Sequence, residues 1–356
     1  MTKGPQDQNV VRSMRMRTFL QKYIGLAIAL VLMIFFLRNV DYVGVVDAIA
    51  AARQGMIFLA FLVLTLGYVI RAIRWRYLLS PLGQVALRIA LHSTMIGFAV
   101  NSILPGRVGE LLRPYLLARQ EGLSVSAVVA TVLVERVLDL VAILLIFGIS
   151  VVIFDPGFVG ANESIIAGMS TGASVAAVIA VAMLGFACIA ASRPAFVNRL
   201  SCVLLTPLPT RMSERLIRVS SRFLEGFAVM RQIRPLVLSV LWSIALWSSI
   251  SLSLWLVTVA FDIEMPAVGA GVVVVLIAVG VAVPTPAGVG GYHAAYQLGV
   301  TGLYGASEAA AVGAGLVAHA LSFLPVTLIG LVLMARDGLK LSRVSDVVGK
   351  SETEGH

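Results

Sequence analysis

Apolar runs dominate the chain, at 19–37, 56–79, 89–104, 124–154, 164–191, 235–260, 267–283, 287–303 and 307–334. A helix rises about 1.5 Å per residue, so about 20 apolar residues cross roughly 30 Å of hydrocarbon. Six of these runs reach that length. The pattern predicts an all-α polytopic membrane helical bundle with about six full spans. The remaining runs, 89–104, 267–283 and 287–303, are short and flank Pro/Gly breaks.

Charges between the runs set an orientation. Residues 1–23 hold five Lys/Arg and one Asp, and 38–55 hold two Arg and two Asp. Four Arg and no acid occupy 71–88, whereas 155–163 carry Asp155 and Glu163 without a base. Eight Arg against two Glu fill 193–234, Asp262 and Glu264 follow, and the tail carries Arg336, Lys340, Arg343 and Lys350. By the positive-inside rule both termini are expected in the cytosol. The segment 107–119 holds Arg107, Glu110, Arg113 and Arg119, so it is not an ordinary span. If 89–104 crossed once, every later loop would invert and the eight-Arg segment would face outward. The region is therefore expected to be a re-entrant hairpin entering from the cytosol, with a second, 267–303, entering from outside.

The two hairpins share a motif. Leu104-Pro105-Gly106-Arg107-Val108-Gly109-Glu110 aligns with Thr285-Pro286-Ala287-Gly288-Val289-Gly290-Gly291 at an offset of 181 residues, and Tyr115 then meets Tyr296. Pro and Gly end helices, and opposed breaks in two halves of a chain point to an inverted repeat around a central site. The other reading is that Gly and Pro are simply frequent in membrane helices. Pro105, Gly106, Gly109, Pro284, Pro286, Gly288 and Gly290 are the expected break positions.

Within the run from Ser124 stand Glu135, Arg136 and Asp139. Glu135 lies about 16 Å along the helix, and each charge facing lipid would cost at least about 2.5–3.5 kcal/mol. These side chains must face a cavity or the bundle interior. One reading is a structural ion-pair network joining this span to Arg107, Glu110 or Arg113. The other is a polar cleft in which Arg107 and Arg113 receive an anionic head group, since guanidinium donates paired hydrogen bonds to phosphate. Asn101 precedes the first break and His293 follows the second, which makes both candidates by position. A lone His in an apolar setting is more often packed and hydrogen-bonded, and His92 and His319 are read that way. Arg71, Arg74 and Arg76 beside Trp75 and Tyr77 read as an interfacial anchor.

Composition changes the picture in two ways. The sequence is 59% hydrophobic and 13% charged with mean hydropathy +0.97, about half the charged share of a soluble domain, which excludes a soluble reading. The formal net charge of +9 sits beside apolar runs, so it fits orientation and anionic lipid better than nucleic acid. Cys188 and Cys202 are expected as thiols rather than a disulfide framework. From Thr210, Met212, Leu216, Val219, Phe223, Phe227 and Met230 recur at helical spacing opposite Arg211, Arg215, Arg218 and Arg222. This is an amphipathic helix that either lies on an anionic membrane surface or packs on the protein's own cytosolic face. The expected division is a basic tail over 1–18, a membrane domain over 19–335 containing the cytosolic segment 193–234, and a tail over 336–356. The first run, without an Ala-x-Ala-like exit, reads as an uncleaved span.

The stretch Asn101-Ser-Ile-Leu-Pro-Gly-Arg-Val-Gly-Glu110, then Arg113, Glu135-Arg136-x-x-Asp139 and Pro284-x-Pro286-Ala-Gly-Val-Gly290, resembles the flippase-like membrane family. That family is the transmembrane domain of lysylphosphatidylglycerol synthases and also occurs alone in bacteria and archaea. The resemblance covers roughly residues 20–335. It implies a lipid-translocating fold with two re-entrant regions and a central polar set of Asn101, Arg107, Glu110, Arg113, Glu135, Arg136 and Asp139. No aminoacyl-transferase segment is recognised in this sequence, so that activity is not expected from the resemblance, and His293 stands where the family usually has an acid.

The expected function is a flippase, transporter or scramblase for an anionic lipid or lipid-linked carrier in the cytoplasmic (inner) membrane, with Glu135 or Asp139 available to couple movement to protons. The alternative is a membrane enzyme or accessory subunit acting on lipid-linked sugars. A third reading is a lipid-binding partner of another enzyme. Expected partners are anionic membrane lipids, with lipid-modifying or lipid-synthesising enzymes second. No Walker A motif, metal constellation or Ser-His-Asp arrangement is present, so no catalytic residue, cofactor or metal is expected. Cysteines placed at Glu163 and Asp262 should label from outside intact cells, and cysteines at Arg211 and Arg343 should not. External labelling at Arg211 would overturn this orientation.

Overall fold

The computed structural model describes residues 41–104, 106–153, 163–205, 210–282 and 285–339. The first apolar run, Pro105, Pro284, the N-terminal tail and residues 340–356 lie outside the described residues. The described residues form an all-helical bundle. In chain order the α-helices are α1 (Tyr42–Ala51), α2 (Gln54–Leu79), α3 (Leu87–Ile103), α4 (Gly109–Glu121), α5 (Val125–Ile153) and α6 (Glu163–Ser192). They continue as α7 (Pro194–Leu205), α8 (Thr210–Glu225), α9 (Ile233–Ala260), α10 (Gly269–Gly280), α11 (Gly291–Tyr304) and α12 (Glu308–Arg336). Short 3-10 turns occupy Ala228–Arg231 and Pro286–Gly288.

Helices α2, α9 and α12 are long and apolar enough to cross a membrane by length and composition. α5 and α6 have 29 and 30 residues, about 44 Å of helix each. One element escaped the sequence pattern. The 38–55 connection contains α1, capped by the Asp41 carboxylate accepting from the Val43 N–H at 3.1 Å and packed on α12. Its ten residues are too few to cross, so a search for membrane-length runs passes over it.

Two loops mark one end of the bundle. Arg53 pairs with Asp262, and its backbone N–H donates to the Ala260 carbonyl at 2.9 Å, which ties the α1–α2 turn to the end of α9. The opposite end gathers the α2–α3 turn, where Arg76 donates to the Val85 carbonyl at 2.7 Å, and the His92–Asp337 pair at 3.3 Å.

From these ends two helical hairpins run inward. In the first, α3 and α4 touch at Gly97 and Gly109, where a Cβ on Gly109 would collide with the Gly97 carbonyl oxygen. In the second, α10 and α11 touch in the same way at Gly280 and Gly291. The first opens at the Arg76 end and the second at the Asp262 end, so the tips approach each other inside the bundle. The Arg107 guanidinium donates to the Val281 carbonyl at 2.9 Å, joining the tips.

The aligned motif positions share a backbone conformation. Gly106 and Arg107 have φ of 83° and 54°, and their counterparts Ala287 and Gly288 have 52° and 68°. Left-handed φ is unfavourable for residues bearing a Cβ, so Arg107 and Ala287 hold it because the turn demands it.

The core has two main parts. One surrounds the second hairpin and includes Phe261, Ile263, Tyr296 and Tyr304. The other lies between α2, α4, α5 and α8 and includes Trp75, Leu78, Leu117, Val134 and Phe227. The amphipathic helix therefore starts at Thr210 as its pattern predicts, and its C-terminal end packs on α5 through Leu224 while Phe227 follows into the core. Met212, Leu216 and Val219 stay exposed. The preceding stretch holds α7, a second helix that the sequence reading did not place.

Gly109→Ala should lower thermal stability in detergent by at least about 1–3 kcal/mol, through overpacking against backbone that has no room to yield. Gly55→Ala, where nothing lies within 4 Å, should be neutral or slightly stabilising. Equal melting temperatures for the two variants would contradict the close helix approach.

Candidate functional site

The buried polar centre is built from four helices. On α5, Thr131, Glu135 and Asp139 recur every four residues and share one face. On α9, Ser243 and Trp247 repeat the spacing, and α2 presents Arg74 and Trp75. A fourth element, α4, contributes Arg113.

Glu135 is fully buried and is held by three guanidiniums. Arg74 Nη2 lies 2.9 Å from one oxygen, Arg136 Nη2 lies 2.9 Å from the same oxygen, and Arg113 pairs with the other. Asp139 pairs with Arg74 and lies 3.5 Å from Arg136, while the Trp247 indole N–H donates to it at 3.0 Å. Arg74 also donates to the Ser243 hydroxyl at 3.0 Å. The Arg113 guanidinium stacks 4.0 Å over the Trp75 ring, whose N–H donates to Thr131 at 3.1 Å. The network thus ties α2, α4, α5 and α9 together.

These contacts revise several sequence readings. Arg74 and Trp75 are not an interfacial anchor: both are 0% exposed, and Arg74 is a central partner of both carboxylates. Arg76 does sit at the bundle end, bonded to the Val85 carbonyl. Proton coupling through Glu135 or Asp139 would need a carboxylate short of counter-charge. With Arg74 and Arg113 beside Arg136 there are three guanidiniums for two carboxylates, and the surplus charge is positive.

The remaining candidates lie at the hairpin tips. Arg107 pairs with Glu110 at 3.6 Å and with the second hairpin through Val281, and does not join the central pairs. Glu110 is near enough to attract Arg136. The Asn101 side-chain oxygen is buried beside Gly109 with no hydrogen-bond partner among the described residues. His293 packs in the second hairpin, its ring 4.5 Å from that of His319. His319 meets the Ala287 carbonyl at 3.0 Å within the Pro286–Gly288 turn. Gly288 and Gly290 take positive φ of 68° and 85°, so this turn is where the second hairpin reverses.

Sequence reasoning passed over Arg74, Ser243 and Trp247. A signal was present in α9: Ser239, Ser243 and Trp247 at four-residue spacing place polar groups along one stripe of an otherwise apolar helix. Among the described residues no group of three or more His, Cys, Asp or Glu is placed to hold a metal ion.

The family model described as the lysylphosphatidylglycerol synthase TM region matches residues 22–330. The chain belongs to this family. Relatives include the UPF0104 membrane protein MJ1595 of Methanocaldococcus jannaschii, 30% identical over 125 residues, which are 33% of this chain and 37% of the relative. The UPF0104 membrane protein MJ1078 of the same organism is 43% identical over 51 residues, 14% of this chain and 22% of the relative. The matched segments thus span about a third or less of these relatives' lengths. Family membership and the apolar helices together make this a multi-pass membrane protein related to lipid metabolism or transport.

Arg74→Ala should destabilise the protein by about 3–5 kcal/mol, because it leaves buried carboxylates short of a partner. Arg74→Met combined with Asp139→Asn should recover part of that loss, since no excess buried charge remains at Asp139. Thermal unfolding in detergent reads both. An Arg74→Ala variant as stable as the parent would show that the network is not structural.

Proposed function

We propose that this protein is a lipid transporter, acting as a flippase or scramblase, that moves an anionic lipid or lipid-linked carrier between leaflets. The observation that carries the reading is a network of three arginines, Arg136 among them partly exposed, around two buried carboxylates beside the meeting point of two opposed hairpin tips. Buried charge in a membrane protein marks a substrate pathway or a relay, and here the excess sign is positive. In this reading the hairpins are re-entrant and form an inverted repeat, supported by the matching left-handed turns at Gly106-Arg107 and Ala287-Gly288. Such repeats place a binding site at the membrane midplane and open it alternately to either side. The tip contact from Arg107 to Val281 is then the closure between the two halves. Arg113 and Arg136 supply attraction for a passing phosphate, while Glu135 and Asp139 keep the guanidiniums in place. In this reading the end that carries the basic loops faces the cytosol and the membrane is the inner one.

The test is the protein reconstituted into liposomes with a fluorescent phosphatidylglycerol, followed by quenching from outside. Protein-dependent movement is expected, and Arg107→Ala should change its rate while leaving membrane insertion intact. Movement equal to that of empty liposomes would sink the proposal. Because each carboxylate already has guanidinium partners, Glu135→Gln should leave any pH dependence of movement unaltered and lower stability instead. Loss of a pH-gradient response in that variant would restore the proton-coupling alternative.

A further inference from the structure

Alongside the ion network lies a cavity of about 210 Å³, enclosed by α2, α3, α9, the second hairpin and α12. Its walls are mainly apolar, with Leu64, Phe98, Ile250 and Ile277 among them. Among the described residues lining it, Arg71 is the one that carries charge. The other polar groups in the wall are already engaged. Tyr68 donates to the Ser322 carbonyl at 2.7 Å, Ser253 to the Ala60 carbonyl at 3.0 Å, Ser322 to the Ala318 carbonyl at 2.8 Å, and Trp247 to Asp139.

Arg71 differs from them. Its guanidinium lies 5.1 Å over the Phe98 ring, which holds it by cation–π attraction. Among the described residues it has neither an ion-pair partner nor a hydrogen bond. Its neighbour three residues on, Arg74, takes both carboxylates of the network. Asp139 attracts Arg71 from beyond contact distance, but a guanidinium facing an apolar space without a direct partner is costly, and an incoming anion relieves that cost. The same wall offers no carboxylate, so an ammonium group entering with the anion would find no partner. The volume lies below the roughly 300–1,000 Å³ of sites that engulf a drug-sized ligand. A compact phosphate or carboxylate fits, with its lipid tails left outside.

We propose that this cavity seats the head group of a lipid bearing a phosphate or carboxylate and no ammonium, that Arg71 binds the anion, and that ammonium-bearing lipids are rejected. The inference rests on the lipid-transport reading for the nature of the ligand, but its test is binding and not movement. Arg71→Gln leaves no orphaned carboxylate, so the variant should fold with an unchanged melting temperature.

The full chain in detergent is titrated with tail-labelled phosphatidylglycerol and tail-matched phosphatidylethanolamine, with inorganic phosphate as competitor. Phosphatidylglycerol should bind about ten-fold or more tightly than phosphatidylethanolamine, the scale of one charge-assisted contact. Arg71→Gln should lose that margin, Arg71→Lys should keep part of it, and inorganic phosphate at matching concentration should not compete. Ala278→Leu, which narrows the cavity without touching charge, should weaken phosphatidylglycerol binding and is the check if Arg71→Gln fails to fold. Equal affinity for the two lipids, an Arg71→Gln variant that binds like the parent, or displacement by inorganic phosphate would each overturn the assignment. Arg71-dependent binding without movement in liposomes would leave the site standing and remove the transport reading. Movement without Arg71-dependent binding would do the reverse.

Discussion

One buried carboxylate organises the polar centre of this bundle. Glu135 pairs with guanidiniums on α2, α4 and its own helix, and Asp139 extends the same web to α9. Ions leave water at high cost, and their mutual attraction offsets that cost only when the geometry satisfies nearly every charge. The network therefore demands that α2, α4, α5 and α9 assemble together. Apolar packing in a membrane gives little discrimination between helix faces, because lipid tails are as apolar as leucine. Here polar registration supplies the specificity that a hydrophobic core supplies in water.

That requirement explains the first hairpin. Arg113 has to reach Glu135 from a segment too charged to cross lipid, so α4 must be carried inward by α3 and returned. The Gly97–Gly109 contact brings the two backbones close enough for this. The second hairpin repeats the construction from the opposite end with Gly280 and Gly291 and carries no comparable charge. Its tip instead offers a backbone carbonyl, which Arg107 takes. The two halves thus share a backbone plan and differ in what they present: guanidinium on one side, carbonyl and aromatic groups on the other.

Much of this was legible in the sequence. The Pro/Gly breaks near 105 and 286 located the hairpins because such residues end helices whatever their surroundings. Glu135, Arg136 and Asp139 stood out because charge inside an apolar run is expensive. Partner choice was harder to read. Arg74 lies near the basic end of its apolar run, where a snorkelling anchor and a buried ligand of a carboxylate look identical. Its partners are 61 and 65 positions away on another helix, and only packing brings them together. α1 and α7 were missed for a different reason, since both are short and owe their place to contacts with neighbouring helices.

The glycine contacts also have a mechanical consequence. With no side chain between α3 and α4, or between α10 and α11, each hairpin is a stiff pair with little freedom to bend internally. Relative motion is then concentrated at the tips, which among the described residues are joined by the hydrogen bond from Arg107 to Val281. A bond with a charged donor contributes about 1.5–3 kcal/mol. Acting alone, it would leave the tips parted for between roughly one part in a hundred and one in ten of the time. That is a minor population large enough to be visited continually.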